Sequence, residues 1–162
     1  MRLVCGPKQN GAMTGLEPIV AVSPELRAVG ARLTARTHVI GPQIAAVIRR
    51  ELPELCGLDP GLDELLQQVI DSNIDNLVTG LTQGVRIDEV AATTAGTEHA
   101  RRLAARGVPA EVMVRAYQLG HHELVRCLFN ELSAAAPQQQ PDYATLQAAL
   151  DYAYAFNDQM CE

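Results

Sequence analysis

The sequence predicts an all-α protein, a helical bundle of five to six helices, from three observations. Apolar residues recur at spacings of three and four over several long segments, which is the period of an amphipathic helix. No segment alternates apolar and polar residues between turn signals, as a half-buried strand does. The 162 residues, 48% hydrophobic and 20% charged, are enough for one domain with a buried core.

The chain divides at its first helix signal. Residues 1–22 contain several Gly and Pro residues without periodicity, which predicts a flexible N-terminal tail, so that residues 23–162 form the all-α domain. Ser23 followed by Pro24 is a helix start, with Ser as the N-cap and Pro at the first helical position. This first helix extends to about Arg36. Gly41-Pro42 then either kinks it or opens a second helix that ends near Glu51.

The middle of the chain predicts two further helices. Over residues 62–82 the apolar residues share one face: Leu62, Leu65, Leu66, Val69, Ile70, Ile74, Leu77, Val78 and Leu81. A fourth helix begins with Asp88 as its cap and reaches Arg106. Small residues and Gly96 in its first half predict a bend or a crowding neighbour. Gly107 and Pro109 then join it tightly to a fifth helix.

The fifth helix, residues 109–135, is apolar over most of its circumference, which predicts a central, buried helix. His121 lies inside the apolar arc. Gly120 costs about 1 kcal/mol relative to Ala in the middle of a helix. We therefore expect another helix or a ligand to approach closely there. The remaining polar strip consists of Arg115, Gln118, His122 and Arg126.

The sixth helix begins near Asp142, after the polar loop 137–141, and carries the spacing of a coiled-coil seam. That seam consists of Leu146, Leu150, Ala153 and Asn157, with Met160 continuing it. Asn157 on such a seam would fix the register between two copies of the helix, which predicts a homodimer. The alternative is that the helix packs on its own domain, with Asn157 near a frayed end.

Charge, cysteine spacing and motifs exclude several function classes. The net charge of −6 does not favour nucleic-acid binding, and no apolar run is long enough for a signal peptide or a membrane span. The four cysteines form no metal or redox signature, so we expect a cytoplasmic protein with free thiols. His122-Glu123 resembles a HExxH zinc motif, but Arg126 occupies the second ligand position. Without a nucleophile–base or acid–base constellation, we expect neither an enzyme nor a cofactor or metal site.

Weaker signals for ligand binding remain on three helices. Ser72, Asn73 and Asn76 lie along the third helix and could line a pocket, although such residues are common on helix surfaces. His121, or less readily His99, is a candidate ligand for haem iron or a small molecule. The competing interpretation of His121 is a core histidine with one satisfied hydrogen bond.

The segment from Arg102 to Pro109, RLAARGVP, followed by RAYQLGH from Arg115 to His121, resembles the N-terminal domain of actinobacterial PucR/CdaR-type transcriptional regulators. This domain is named after the RsbT co-antagonist proteins of stressosomes. The resemblance implies a signal-input and dimerisation domain, helical and globin-like, without haem. Arg115, Tyr117, Gly120 and His121 would form the signal-responsive core.

A complete regulator of this kind carries a C-terminal helix-turn-helix, and none is present in this sequence. We therefore expect an isolated input domain whose effector domain lies outside these residues, with no direct contact to nucleic acid or membrane. The alternative is a globin-like sensor of haem or another small ligand.

Overall fold

Six α-helices and one short 3₁₀ turn form the computed structural model, which describes residues 22–57, 60–85, 93–135 and 142–161. No strand occurs among these residues, so the all-α prediction is confirmed. The helices are α1 Pro24–Thr34, α2 Thr37–Glu51, α3 Pro60–Gln83, α4 Thr94–Ala105, α5 Ala110–Ala135 and α6 Tyr143–Cys161, and the 3₁₀ turn is Pro53–Leu55. The predicted tail lies outside the described residues except for Val22, which packs partly buried against the core.

The start of α1 follows its sequence signals, whereas the start of α2 does not. The Ser23 hydroxyl accepts a hydrogen bond from the Leu26 N–H at 3.3 Å, as an N-cap does. Neither alternative for Gly41-Pro42 describes where α2 begins, because α2 starts at Thr37 and continues through Pro42. The N–H groups of Val39 and Ile40 donate to the Arg36 carbonyl, so the first helical turn is complete before the proline is reached.

Helix α3 is the centre of the bundle. All the apolar residues predicted for its face are buried, and the helix packs against α1, α2 and α4. The prediction of α5 as the central, buried helix is wrong. Its first half, as far as His122, contains only half-buried and exposed residues, and its fully buried side chains begin at Glu123.

The boundaries of α4 show one correction and one confirmation. Thr93, not Asp88, is the N-cap, because the Thr93 hydroxyl accepts the Gly96 N–H at 3.0 Å and Thr93 itself is extended. Asp88 lies outside the described residues. Gly107 adopts a φ of 75° directly after α4, a left-handed conformation that glycine enters without steric cost. The predicted tight junction between α4 and α5 is therefore present.

A buried carboxylate joins α5 to α1. Glu131, 6% exposed, forms ion pairs with Arg36 at 2.5 Å and with Arg32 at 3.4 Å. Arg32 also donates to the backbone carbonyl of Glu131 at 3.0 Å. Without the arginines, the buried charge of Glu131 would be uncompensated, which is unfavourable. These contacts therefore hold the C-terminal part of α5 against α1.

Helix α6 reaches α3 through a notch at Gly80. A Cβ atom on Gly80 would overlap the Tyr152 hydroxyl, so a larger residue is excluded while Tyr152 keeps its position. Tyr152 is 1% exposed, and its hydroxyl has no hydrogen-bond partner among the described residues. Burial raises the pKa of Tyr152 to about 12. The contact thus combines close packing with an unsatisfied polar atom, which is unfavourable.

This notch yields a prediction for a double-mutant cycle. We expect Gly80→Ala to destabilise the domain by roughly 1–3 kcal/mol, because the added methyl group forces Tyr152 to shift. Tyr152→Phe should be neutral or stabilising by about 1 kcal/mol, because it removes the unpaired hydroxyl. In the Tyr152→Phe background, Gly80→Ala should cost less, since the overlapping oxygen is gone. Urea unfolding of the four proteins measures the coupling.

The matched control is Tyr154→Phe, which removes a hydroxyl from a tyrosine that is 57% exposed and should change stability by less than about 0.5 kcal/mol. Strict additivity of Gly80→Ala and Tyr152→Phe would show that the two residues do not compete for the same space.

Candidate functional site

A cavity of about 80 Å³ lies between the 3₁₀ turn and helices α2 to α6. Most of its wall is aliphatic, with Ile44 and Ile48 of α2, Leu66, Val69, Ile70 and Leu77 of α3, Leu103 of α4, Leu124, Val125 and Leu128 of α5, and Phe156 and Met160 of α6. A small number of polar side chains interrupt this wall: Asn73, His99, Tyr117, His121 and Asn157. An apolar cavity with a few convergent polar groups is the usual form of a small-molecule site.

Two histidines give the cavity its polar character. His99 of α4 is 5% exposed, and its Nε2 atom has no hydrogen-bond partner among the described residues. The Nε2 atom of His121 on α5 is likewise buried and unpaired. Burial lowers the pKa of both imidazoles, and for His121 the nearby Asp158 opposes this effect. Both rings are therefore favoured in the neutral form.

Tyr154 of α6 stands beside His121. The two ring centroids are 5.3 Å apart with an interplanar angle of 49°, a tilted arrangement within the range of favourable aromatic pairs. Because Tyr154 is largely exposed, its ring connects the buried imidazole with the surface of α6. Helices α5 and α6 thus contact each other directly at the histidine.

Tyr117 connects α5 with the start of α4. A Cβ atom on Gly96 would lie 3.3 Å from the Tyr117 hydroxyl and 3.1 Å from the Thr93 hydroxyl, so a side chain would crowd both. The predicted crowding of the fourth helix at Gly96 is present, and Tyr117 is the neighbour responsible.

Gly120 is less constrained than the sequence suggested. A Cβ atom there would lie 3.6 Å from Ile44 of α2, an ordinary van der Waals distance. Another helix does cross at Gly120, as expected, but alanine would fit. Gly120 widens the cavity rather than permitting an unusually close helix contact.

The structure brings together three of the four residues predicted for the signal-responsive core. Tyr117, Gly120 and His121 line the cavity. Arg115 does not; it is exposed, in a shallow surface depression with Glu111 and Gln118. The apolar arc identified His121 correctly, whereas the motif that included Arg115 carried no information about which side of α5 faces the core.

The predicted dimer seam contributes to the same cavity. Ala153 is 3% exposed and lines the cavity together with the half-buried Asn157. Leu146 and Leu150 are half-buried, and Leu146 packs against the core of its own chain. The face chosen for a partner helix is thus largely covered within the chain, in agreement with the alternative that α6 packs on its own domain. The homodimer stays a prediction.

A known protein family matches most of this chain. The family described as "RsbT co-antagonist protein rsbRD N-terminal domain" matches residues 38–162, which include every residue that lines the cavity. The chain belongs to this family. No curated protein and no solved structure matches it. Membership of the RsbRD family makes this chain a regulatory signal-input domain of the RsbR type.

Sequence reasoning missed part of the site in this RsbRD-type domain. His99 was only the weaker histidine candidate, yet it is the more deeply buried of the two. Its position four residues before Leu103, the other buried residue of α4 with a large side chain, was the available signal. Asn73 was one of three polar candidates on the third helix and is the one that lines the cavity.

The described part of the RsbRD-type domain contains no group of three His, Cys, Asp or Glu side chains arranged to hold a metal ion. Within the same residues, no helix combines the length and apolarity needed to cross a membrane. The cavity wall itself offers hydrogen bonding by imidazole, amide and phenol groups within a mostly apolar surface.

The two buried histidines predict a pH dependence of stability. Their folded-state pKa values lie below the ordinary 6.5, so the unfolded chain takes up protons first as the pH falls. The contribution of the two histidines to stability should therefore be constant above about pH 7 and decrease as the pH falls below about 6.5. The pKa of Glu98 is lowered to about 2, so the stability that this carboxylate provides is lost only as the pH falls below its ordinary value of 4.5, outside this window.

Urea unfolding at about pH 7.5 and pH 5.5 measures this effect. We expect His99→Leu and His121→Leu each to reduce the loss of stability between the two pH values. Asn157→Leu changes the same wall without removing a titrating group, and should leave the pH dependence as it is in the original protein. A wild-type stability that does not change between the two pH values would contradict the assignment.

Proposed function

We propose that this chain is a non-enzymatic signal-input and dimerisation domain of a PucR-like transcriptional regulator, acting in the cytoplasm. In this proposal, occupancy of the cavity changes how α5 packs on α6, and α6 carries the change to an effector domain that binds DNA. The RsbRD family supports the regulatory role. The PucR-like context rests on the resemblance of residues 102–121 to that group of regulators.

The shared cavity wall is the observation that carries this proposal. Tyr117, Gly120 and His121 of α5 face the same space as Ala153 and Asn157 of α6. A molecule in that space contacts both helices, and in this proposal it binds one arrangement of the pair more tightly than others. A ligand shifts a conformational equilibrium only through such differential contacts.

A non-enzymatic role fits the chemistry of the cavity wall. Among the described residues that line the cavity, none is a carboxylate, a thiol or a Ser/Thr hydroxyl that could pair with the imidazole of His99 or His121. A nucleophile and a general base within hydrogen-bond distance are the minimum for most covalent or acid–base mechanisms. This wall is suited to binding.

The alternative of a haem sensor is less well supported. A volume of about 80 Å³ is well below the 300–1,000 Å³ that is typical of pockets for larger ligands and cofactors. A haem would enter only if the helices around His99 and His121 moved apart substantially. Smaller ligands remain compatible with the cavity, so the small-molecule version of the sensor agrees with the proposal.

The relay from the cavity to α6 can be tested by filling the cavity from α5. Ala116 lines the cavity, and Ala116→Leu adds an isopropyl group there. We expect amide hydrogen exchange in α6, over residues 149–160, to slow severalfold, because added contacts in the cavity stabilise its local structure. Gly120→Ala should have a smaller effect in the same direction, since its methyl group fits beside Ile44.

The control is Ala134→Leu, which makes the same chemical change at an exposed position of α5. It should leave exchange in α6 unchanged. Exchange differences that stay within α5 in the Ala116→Leu protein would show that the cavity does not communicate with α6.

Dimerisation is tested by sedimentation of the chain at concentrations from about 10 to 500 µM. We expect a dimer, and we expect Leu150→Arg to shift it towards monomer by placing a charge on the predicted seam. Gln147→Arg introduces the same charge on an exposed position of α6 and should not change the mass. A wild-type chain that remains monomeric throughout, with no change in Asn157→Leu, would contradict the dimer.

A further inference from the structure

The unpaired imidazole nitrogens and the aliphatic wall together define a ligand class. Resting on the proposed input role of the cavity, we propose that it binds a small neutral molecule with a compact apolar body and one hydroxyl group, which hydrogen-bonds to the Nε2 atoms of His99 and His121. The ligand is thus of the size and chemistry of a short branched alcohol.

The need for a polar group on the ligand follows from the two histidines. Each presents a buried Nε2 atom without a partner among the described residues. Buried polar atoms in folded proteins are nearly always hydrogen-bonded, and an unpaired one marks a missing partner. In neutral imidazole, Nε2 is either a donor or an acceptor, depending on the tautomer. A hydroxyl group donates one hydrogen bond and also accepts, so it pairs with both nitrogens when at least one of the two Nε2 atoms carries its proton.

The need for a neutral, apolar body follows from the rest of the wall. Ile44, Ile70, Leu103 and Leu128 are representative of it, and no Arg, Lys, Asp or Glu is present among the described residues that line the cavity. A carboxylate or ammonium group would lose its hydration there without gaining an opposite charge. Burial also lowers the pKa of both histidines, which disfavours the imidazolium that an anion would need as its partner.

The volume sets the size of the ligand. A cavity of 150 Å³ accepts benzene, so about 80 Å³ corresponds to a molecule of roughly three to four non-hydrogen atoms. Water is the competing occupant. A buried water requires two to four polar partners, and it would leave the apolar part of the wall without contacts. An alcohol of this size fills the aliphatic space that water would leave and still supplies the hydrogen bond.

Three ligands of nearly the same shape test the proposal: 2-propanol, acetone and acetate. Each is titrated into the ¹⁵N-labelled protein, and the resonances of the histidine side chains and of residues 113–128 and 149–160 are followed. Affinity per atom is limited, so dissociation constants of roughly tens of micromolar or weaker are expected. We expect 2-propanol to give saturable, localised shifts and to bind at least tenfold more tightly than acetate, with acetone in between.

Variants assign the binding to the cavity. Ala116→Leu should abolish the saturable shifts with 2-propanol, while Ala134→Leu should retain them. His99→Leu and His121→Leu should each weaken 2-propanol at least fivefold relative to acetone, yet still admit xenon as a purely apolar probe. If a histidine variant unfolds, the conservative His99→Gln and His121→Gln proteins give the same comparison.

Three results would overturn the ligand class. They are acetate binding more tightly than 2-propanol, xenon entering the cavity while 2-propanol gives no saturable shift, and a water resonance at the histidine side chains that 2-propanol does not displace. Failure of the relay is separable from these. If 2-propanol binds but amide hydrogen exchange in α6 does not change, the proposed function is contradicted and the ligand class is not. If Ala116→Leu slows exchange in α6 but 2-propanol does not bind, only the ligand class is contradicted.

Discussion

The buried carboxylate of Glu131 determines how α5 can behave. It is paired with Arg32 of α1 and with Arg36, the residue before α2, and it lies in sequence between Leu128 and Leu132, two of the buried apolar residues of α5. The C-terminal half of α5 is therefore fixed by both charge and packing. The first half, as far as His122, contains no fully buried residue. One long helix thus combines an anchored end with an end that is held more loosely.

The cavity lies beside the point where the half-buried first part of α5 meets its buried second part. Its walls therefore belong to helices that are packed to different degrees. Helix α3 supplies a rigid side, because its apolar face is buried along its whole length. The opposite side is formed by α4, the first half of α5 and α6. There Tyr117 of α5 lies beside Gly96 of α4, and His121 of α5 contacts Tyr154 of α6. A molecule in the cavity therefore acts mainly on the second side. This geometry favours a response in the α5–α6 pair over a response of the whole bundle.

The sequence pattern predicted α3 in detail and placed α5 correctly but overestimated the burial of α5, and the two outcomes share one cause. A helical period shows which residues are apolar on one face, but it does not show what covers that face. For α3, three neighbouring helices cover it. For α5, part of the apolar face borders a cavity instead of another helix. For α6, Ala153 and Asn157 face the interior of their own chain, although their spacing resembles a dimer seam. The arginine partners of Glu131 lie far away along the chain, and the Nε2 atom of His99 has no partner among the described residues, so a local pattern could not predict either environment.

The chemistry of the wall constrains what kind of signal this RsbRD-type domain can receive. Because the described residues lining the cavity carry no carboxylate, guanidinium or ammonium group, an occupant exerts no strong electrostatic force on the helices. Its influence comes from the volume it fills and from hydrogen bonds to His99 and His121. Such an input is selective for shape and for the position of one polar group. It acts on α6 directly, through Ala153 and Asn157 in the cavity wall, and also through the contact of the half-buried His121 with the exposed Tyr154.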